Sequence, residues 1–180
     1  MKMTLRTLAM LLAVCWVAGV CRAAYADEAA CKAVLDAVIK QAGVPVHQKI
    51  SIESAAAPGR RIESELIRLG DTLYMQMRGQ WMKRPYDAAK AQQDAREAMH
   101  KSQHECTRLR SEAVGGQAAE LYEVRSHGPE GNSEAQIWIS SSSGLPLRQH
   151  TEMATAAAAG GQKSRHDVSF DYADVKAPIP

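Results

Sequence analysis

The stretch from Glu134 to His150 constrains the fold of this chain most, because it encodes two strands and the turn between them. Every second residue at its start is apolar, as expected of a strand with one buried face: Ala135, Ile137 and Ile139. Four serines then lead to Gly144, which can adopt a positive φ, and Pro146 fixes the backbone where a second alternation begins. The stretch therefore predicts a β-hairpin.

Six further segments show strand-like patterns and are divided by turn residues such as Pro58-Gly59, Gly70-Asp71 and Gly115-Gly116. They predict strands at His47–Ala55, Arg61–Leu69, Thr72–Met82, Thr107–Val114, Ala118–Ser126 and His166–Tyr172. With the hairpin, the total is eight strands. In the third of these segments Leu73, Met75, Met77 and Trp81 share one parity, which predicts a strongly apolar face.

Two segments have the composition of helices. Glu28 to Ala42 repeats apolar residues at i, i+3, i+4 and i+7, with Asp27 as N-cap and with Gly43 and Pro45 after its end. Tyr86 to His104 is rich in good helix formers but has only a weak apolar stripe. The second helix is therefore expected to be mostly exposed, either as a mobile lid or as a plain connection.

The N-terminus predicts a secretory signal peptide at residues 1–26 and one domain at residues 27–180. Lys2 and Arg6 precede an apolar run of about thirteen residues, shorter than the roughly twenty that span a bilayer. Ala24-Tyr25-Ala26 is a small-x-small cleavage site, which places the mature protein in the periplasm. A retained anchor is a less favoured interpretation. So is a lipoprotein processed at Cys21, which Val20 disfavours.

Cleavage would remove most of the chain's apparent basicity. Of 22 basic residues three lie in the signal peptide, so 19 would remain against 20 acidic ones. A mature net charge near −1 lacks the clustered positive surface of a nucleic-acid-binding protein. We therefore expect no nucleic-acid partner.

Two of the four cysteines, Cys31 and Cys106, would remain in a compartment that oxidises thiols. A disulfide between them is predicted, and it would close a loop of about 75 residues. A pair of buried free thiols would also fit the sequence.

Motifs for known catalytic chemistry are missing from the sequence, which predicts a protein that is not an enzyme and needs no cofactor. The serine run before Gly144 is typical of a turn rather than of a nucleophile. His100, His104 and Cys106 could form a metal site if both histidines lay on one helix, although solvated histidines explain them more simply. The thioethers of Met75, Met77, Met82 and Met99 could bind Cu(I) or could line an apolar space.

The C-terminal quarter carries a resemblance to a known family. A tryptophan strand, a turn, the residues GLPLR, another hairpin and then Tyr172, Val175, Ala177 and Pro178 resemble the periplasmic LolA-like proteins. That family includes the lipoprotein carrier LolA and a domain of the sigma-factor regulator RseB. The resemblance implies an α+β fold in which a curved antiparallel sheet, an incomplete β-barrel, wraps over an N-terminal helix. The family's lid-locking arginine lies in an early strand, where the resemblance does not choose among Arg60, Arg61 and Arg68.

The resemblance also implies a cavity for a hydrophobic ligand, a lipid or an acyl chain, and hence a lipid or lipoprotein carrier. We expect nine apolar residues to converge on one surface beneath the first helix: Leu73, Met75, Met77, Trp81, Leu121, Ile137, Ile139, Val168 and Phe170. Taken alone, these residues favour an ordinary core over a surface for a flexible chain, and the resemblance reverses that preference. Two different functions also fit the sequence. One is a periplasmic sensor or protein-interaction domain that contacts an envelope protein, and the second is a methionine- and histidine-based metal binder.

Overall fold

The computed structural model describes residues 27–128, 131–156 and 161–178, so the predicted signal peptide, its cleavage site and Cys21 lie outside the described residues. The described chain contains two helices and nine strands. In order they are α1 (Glu28–Ala42), β1 (Val46–Ser54), β2 (Arg61–Leu69), β3 (Thr72–Met77), β4 (Gln80–Pro85), α2 (Ala88–Lys101), β5 (Gln103–Val114), β6 (Gln117–Gly128), β7 (Gly131–Ser140), β8 (Pro146–Thr155) and β9 (Lys163–Asp171).

Helix α1 has the bounds that its sequence predicts. The Asp27 side chain accepts a hydrogen bond from the backbone N–H of Ala29 at 3.0 Å, as an N-cap does. At the other end the N–H of Gly43 donates to the carbonyl of Lys40 at 3.1 Å, and Pro45 follows two residues later. The predicted disulfide between Cys31 and Cys106 is also present, and it ties the start of α1 to β5.

All nine strands form one antiparallel sheet in the order β4-β3-β2-β1-β9-β8-β7-β6-β5. The chain runs outward from β1 to β4 through hairpins, crosses by α2 to the far edge at β5, and returns by hairpins until β9 pairs with β1. The two edge strands, β4 and β5, do not pair with each other. The sheet is therefore open, as expected, rather than closed as a barrel.

The single strand predicted at Thr72–Met82 is wrong, because it is a hairpin of β3 and β4. Arg78 and Gly79 form its two-residue turn with φ values of 52° and 79°, the backbone that tight hairpins favour. Apolar residues continue on both sides of this turn, which hides it in the sequence. The turn reverses the chain, so Trp81 lies opposite Gln76 and on the other face from Met75 and Met77.

The second helix is also shorter than predicted. It starts after Asp87, whose side chain accepts a hydrogen bond from the N–H of Lys90 at 2.9 Å, and it ends at Lys101. His104 and Cys106 consequently belong to strand β5, not to the helix. None of the α2 residues is buried, which agrees with its weak apolar stripe.

Helix α1 packs on strands β5 to β8, and we call the face of the sheet that it touches the inner face. The small buried residues Ala30, Val34 and Ala37 of α1 meet a set of buried sheet residues: Cys106, Val124, Ala135, Ile137 and Ile139. On the opposite, outer face, the cross-strand neighbours Leu121 and Trp138 belong to a second buried cluster with Ala119 and Leu147. Within the described ranges, neither helix is long and apolar enough to cross a membrane.

Candidate functional site

The inner face continues beyond α1 onto strands β9, β1, β2, β3 and β4. Residues directly opposite each other in antiparallel strands project from the same face, so the register traces this continuation. One such row leads from Ile137 under α1 through Gln149 and Val168 to Ile50. Another joins Phe170, Gln48, Leu66, Met75 and Met82.

Besides Val46, which is fully buried, these five strands present ten apolar residues on the inner face, and we call these ten the open inner face: Ile50, Ile52, Ile62, Leu66, Leu73, Met75, Met77, Met82, Val168 and Phe170. At a strand spacing of about 4.8 Å, the set spans about 19 Å from β9 to β4. Apolar side chains grouped on one accessible face of a sheet are candidates for a binding site.

None of the ten side chains is buried. Ile62 and Met77 are 60% and 54% exposed, and the others are half-buried, whereas Ile137 in the part under α1 is only 6% exposed. The cause is the position of α1, whose main contacts are with β5 to β8. The sheet thus has a covered half, β5 to β8, and an open half, β9 and β1 to β4.

The open inner face is mainly aliphatic and thioether in character. Six of its residues are Ile, Leu or Val, three are Met, and only Phe170 is aromatic. Methionine is unbranched and polarizable and adapts to irregular partners. Such a surface is suited to a flexible aliphatic chain better than to a flat aromatic ligand.

Arg68 of β2 bounds this surface at the C-terminal end of α1. Its guanidinium is buried, donates hydrogen bonds to the carbonyls of Gln41 and Val44, and lies 5.0 Å from the ring centre of Tyr86. The Tyr86 hydroxyl in turn donates to the carbonyl of Ala42 at 3.0 Å. A cation at this position satisfies the free carbonyls at the end of the helix and complements the helix dipole. Among Arg60, Arg61 and Arg68, Arg68 is the one that holds α1.

Helix α1 is therefore anchored at both ends. At its start, the disulfide to Cys106 is supported by a hydrogen bond from the N–H of Asp27 to the carbonyl of Cys106, at 3.1 Å. Helix α2 is held less firmly, because it buries no residue completely and packs mainly on α1. One of its contacts is the hydrogen bond from Gln92 to the carbonyl of Ile39, at 3.2 Å.

Tyr172, which follows β9, lies at the same end of the sheet. Its hydroxyl donates to the carbonyl of Pro146 at 2.6 Å. Burial raises the pKa of Tyr172 well above its ordinary value of 10, and the nearby positive charge of Arg68 opposes this only in part. The phenol therefore stays protonated at any physiological pH.

The nine residues predicted to converge are distributed over three places. Leu73, Met75, Met77, Val168 and Phe170 lie on the open inner face. Ile137 and Ile139 lie in the closed core under α1. Trp81 and Leu121 are corrections, because the β3–β4 turn places Trp81 on the outer face and the pairing of Leu121 with Trp138 places Leu121 there as well.

The other half of the open inner face was not among the predicted site residues. Ile50 and Ile52 alternate in β1 and Ile62 and Leu66 occupy β2, so their parity was visible in the sequence. Met82 is directly opposite Met75 on the same face, but the sequence does not reveal the β3–β4 turn that places it there. What the sequence lacked was a sign that α1 covers only half of the sheet.

The histidine and cysteine cluster does not form the helical metal site considered from the sequence. His100 is in α2, whereas His104 is in β5 with its Nδ1 atom 2.8 Å from the hydroxyl of Ser126, and Cys106 is in the disulfide. Among the residues that the structure describes, no three His, Cys, Asp or Glu side chains are placed to share a metal ion.

The serine run forms the β7–β8 turn, as expected. The backbone N–H of Ser143 donates to the hydroxyl of Ser140 at 3.2 Å, and Gly144 adopts a φ of 67°. The carbonyl of Ser143 accepts a hydrogen bond from the ammonium of Lys40 at 2.6 Å.

A cleft of about 430 Å³ lies elsewhere, at the far end of the sheet, and six of its thirteen lining residues are charged residues of the outer face. Arg125 is 3.6 Å from Glu134 there, and Arg165 is 3.1 Å from Glu152. Each of these pairs joins opposite charges on neighbouring strands, and such pairs are common on solvent-exposed faces of sheets. We therefore place the candidate site on the open inner face.

Neither a protein-family model nor a curated protein sequence matches this chain. Comparison with solved structures gives 17 similar chains. LprF from Mycobacterium bovis is 12% identical with a TM-score of 0.39, over 83% of this chain and 97% of LprF. A LolA superfamily protein from Nitrosomonas europaea and a DUF1329 family protein from Desulfovibrio piger are each 11% identical, with TM-scores of 0.29 and 0.27. Each comparison covers 81% of this chain and 94% of the other.

Proposed function

We propose that this protein binds the acyl chain of a lipid on the open inner face and acts as a lipid or lipoprotein carrier in the periplasm. The supporting observation is the set of ten apolar side chains that share one face of five adjacent strands and that α1 leaves uncovered. Contact with an acyl chain would remove these side chains from water, at about 25 cal/mol per Å² of apolar surface buried. The location rests on the signal peptide expected at residues 1–26.

Binding of a fluorescent fatty acid to the mature chain, residues 27–180, tests this proposal. Wild type is expected to bind, and Met75→Glu in the centre of the surface is expected to lower affinity at least about tenfold, because a buried charge without a partner is costly. Leu109→Glu is the matched control, since Leu109 is 42% exposed on the distant edge strand β5. Both variants should melt close to wild type.

Native mass spectrometry of protein purified from a periplasm gives an independent test, because a co-purified lipid adds a defined mass. Absence of fatty-acid binding by wild type, or equal loss of binding in both variants, would contradict the proposal.

A second candidate is Cu(I) binding, favoured by the clustering of thioethers in the β3–β4 hairpin. Met75 and Met82 are directly opposite each other, and Met77 follows on the same face. Thioethers are soft ligands that select Cu(I). The double variant Met75→Leu/Met82→Leu separates the two functions, because it keeps the surface apolar but removes two sulfurs. A Cu(I) titration that saturates wild type at one equivalent and fails with the double variant would support the metal site, and unchanged fatty-acid binding would support the lipid site.

A further inference from the structure

Acidic side chains are completely segregated to one face in the open half of the sheet. On strands β9 and β1 to β4, the carboxylates occupy outer-face positions: Glu53, Glu63, Glu65, Asp167 and Asp171. The inner-face positions of the same five strands hold no Asp or Glu. They do hold two arginines, Arg68 and Arg84, and the inner face of this half is therefore both apolar and positively charged.

The two arginines belong to one row. Arg68 is directly opposite Leu73, and Leu73 is directly opposite Arg84, so the row crosses β2, β3 and β4 on the inner face. Arg68 is buried and occupied by the carbonyls at the end of α1. Arg84 is exposed on the edge strand. The arginines that form ion pairs among the described residues are Arg61, Arg108, Arg110, Arg125 and Arg165, and Arg84 is not one of them.

From this arrangement we propose that the ligand is an anionic amphiphile, whose acidic headgroup is bound by Arg84 while its acyl chain lies along the open inner face. This inference rests on the proposed function and specifies its ligand class. From the Arg68 row to Ile62 the surface extends six residues along β2, about 20 Å at the rise of a strand, which accommodates a long acyl chain. A guanidinium binds carboxylate or phosphate oxygens through charge-assisted hydrogen bonds, and the absence of inner-face acids from these strands removes the competing internal partners.

The rest of the edge strand explains why Arg84 is singled out. Lys83 is its immediate neighbour but projects from the outer face, where its ammonium lies 5.9 Å from the ring centre of Tyr74. Charged residues and Pro85 on β4 also protect an exposed edge against pairing with other chains. That protective role requires no particular face, whereas binding of a headgroup requires the inner one. Lys83 is therefore the control that separates the two roles.

The experiment measures the affinities of the mature chain for palmitate, hexadecyl phosphate and hexadecanol, which carry saturated chains of the same number of carbons and differ in headgroup. We expect both anions to bind at least about tenfold more tightly than the alcohol, and we expect this difference in affinity to shrink as salt is added. Arg84→Gln should abolish this preference by weakening the binding of both anions to about the affinity of hexadecanol. Arg84→Lys should restore it in part, and Lys83→Gln should have no effect.

The outcomes are distinguishable. Equal affinity for all three amphiphiles, or equal effects of Arg84→Gln and Lys83→Gln, would overturn the headgroup assignment and leave acyl-chain binding intact. Absence of binding for all three would overturn the proposed function and this inference with it. A preference for the phosphate over the carboxylate that depends on Arg84 would support the assignment and identify phospholipid-type headgroups as the better ligands.

Discussion

The covered half and the open half of the sheet are built from the same kind of strand, yet they are solvated differently. Ile137 and Ile50 lie in one row across the sheet, on the same face. Ile137 is 6% exposed under α1, whereas Ile50 is only half-buried. The comparison shows that strand alternation determines which side chains share a face. Whether that face becomes a core or a binding surface depends on the position of α1.

The largest effect should come from breaking the link that holds α1 over the covered half. Cys31→Ala/Cys106→Ala removes a disulfide that closes a separation of 75 residues, for which the chain-entropy relation gives about 4–5 kcal/mol of unfolding free energy. Denaturant titration of both proteins measures this loss. A loss below about 1 kcal/mol would mean that the covered half is held together without the disulfide.

A matched pair of truncations tests whether the two halves of the sheet are packed differently. Ile137→Ala should lower the free energy of unfolding by about 3 kcal/mol, because it leaves a cavity in a closed core. Ile50→Ala should lower it by less than about 1 kcal/mol, since water already reaches that side chain. Both values come from denaturant titration, and Ile50→Ala should in addition weaken fatty-acid binding. Equal costs for the two variants would show that the open half is packed like a core.

Arg68 connects the two halves, and its removal should have an intermediate effect. Arg68→Met leaves the carbonyls of Gln41 and Val44 without their donor and should lower the unfolding free energy by about 2 kcal/mol. The control is Arg61→Met, because Arg61 is exposed and is 3.6 Å from Glu53, a surface ion pair that contributes about 0–1 kcal/mol. If the two variants are equally stable, Arg68 does not anchor α1.

The smallest effect concerns Tyr172 and appears only at alkaline pH. Its folded pKa is raised above the unfolded value of about 10, so the folded state retains the phenolic proton more strongly. This contribution to stability is fully present below pH 10 and is lost as the pH rises from there through the folded pKa. Tyr172→Phe should therefore lose less stability than wild type between pH 9 and pH 11, as measured by denaturant titration at each pH. Identical losses would contradict the shift, because the other tyrosines ionise in both proteins.

Much of the fold was predictable because its determinants are local. The Asp27 cap, the apolar spacing of α1 and the turn dipeptides between strands each act within a few residues, and the structure confirms the bounds of α1 and an open antiparallel sheet. The Cys31–Cys106 disulfide was predictable for another reason, since these are the two cysteines that follow the expected signal peptide.

The candidate site was only partly predictable because its determinants are not local. Alternation in β6 and β7 places apolar residues on both faces, so parity alone could not assign Leu121 to the outer face. The turn at Arg78-Gly79 is surrounded by apolar residues that resemble one strand, which misassigned Trp81 and concealed Met82. The extent of coverage by α1 is set by its two anchors, Cys106 and Arg68, which lie 75 and 27 residues away in sequence from Cys31 and Gln41 of the helix.

The two anchors of α1 have a kinetic consequence. A helix fixed by a disulfide at one end and by a buried guanidinium at the other does not have to open before the open inner face becomes accessible. The apolar surface is already formed in the free protein, so a ligand of the proposed kind would meet a preorganised partner, and its capture would require no prior rearrangement of the sheet. Association would then be governed by encounter, and the lifetime of the complex by how much apolar surface the ligand covers.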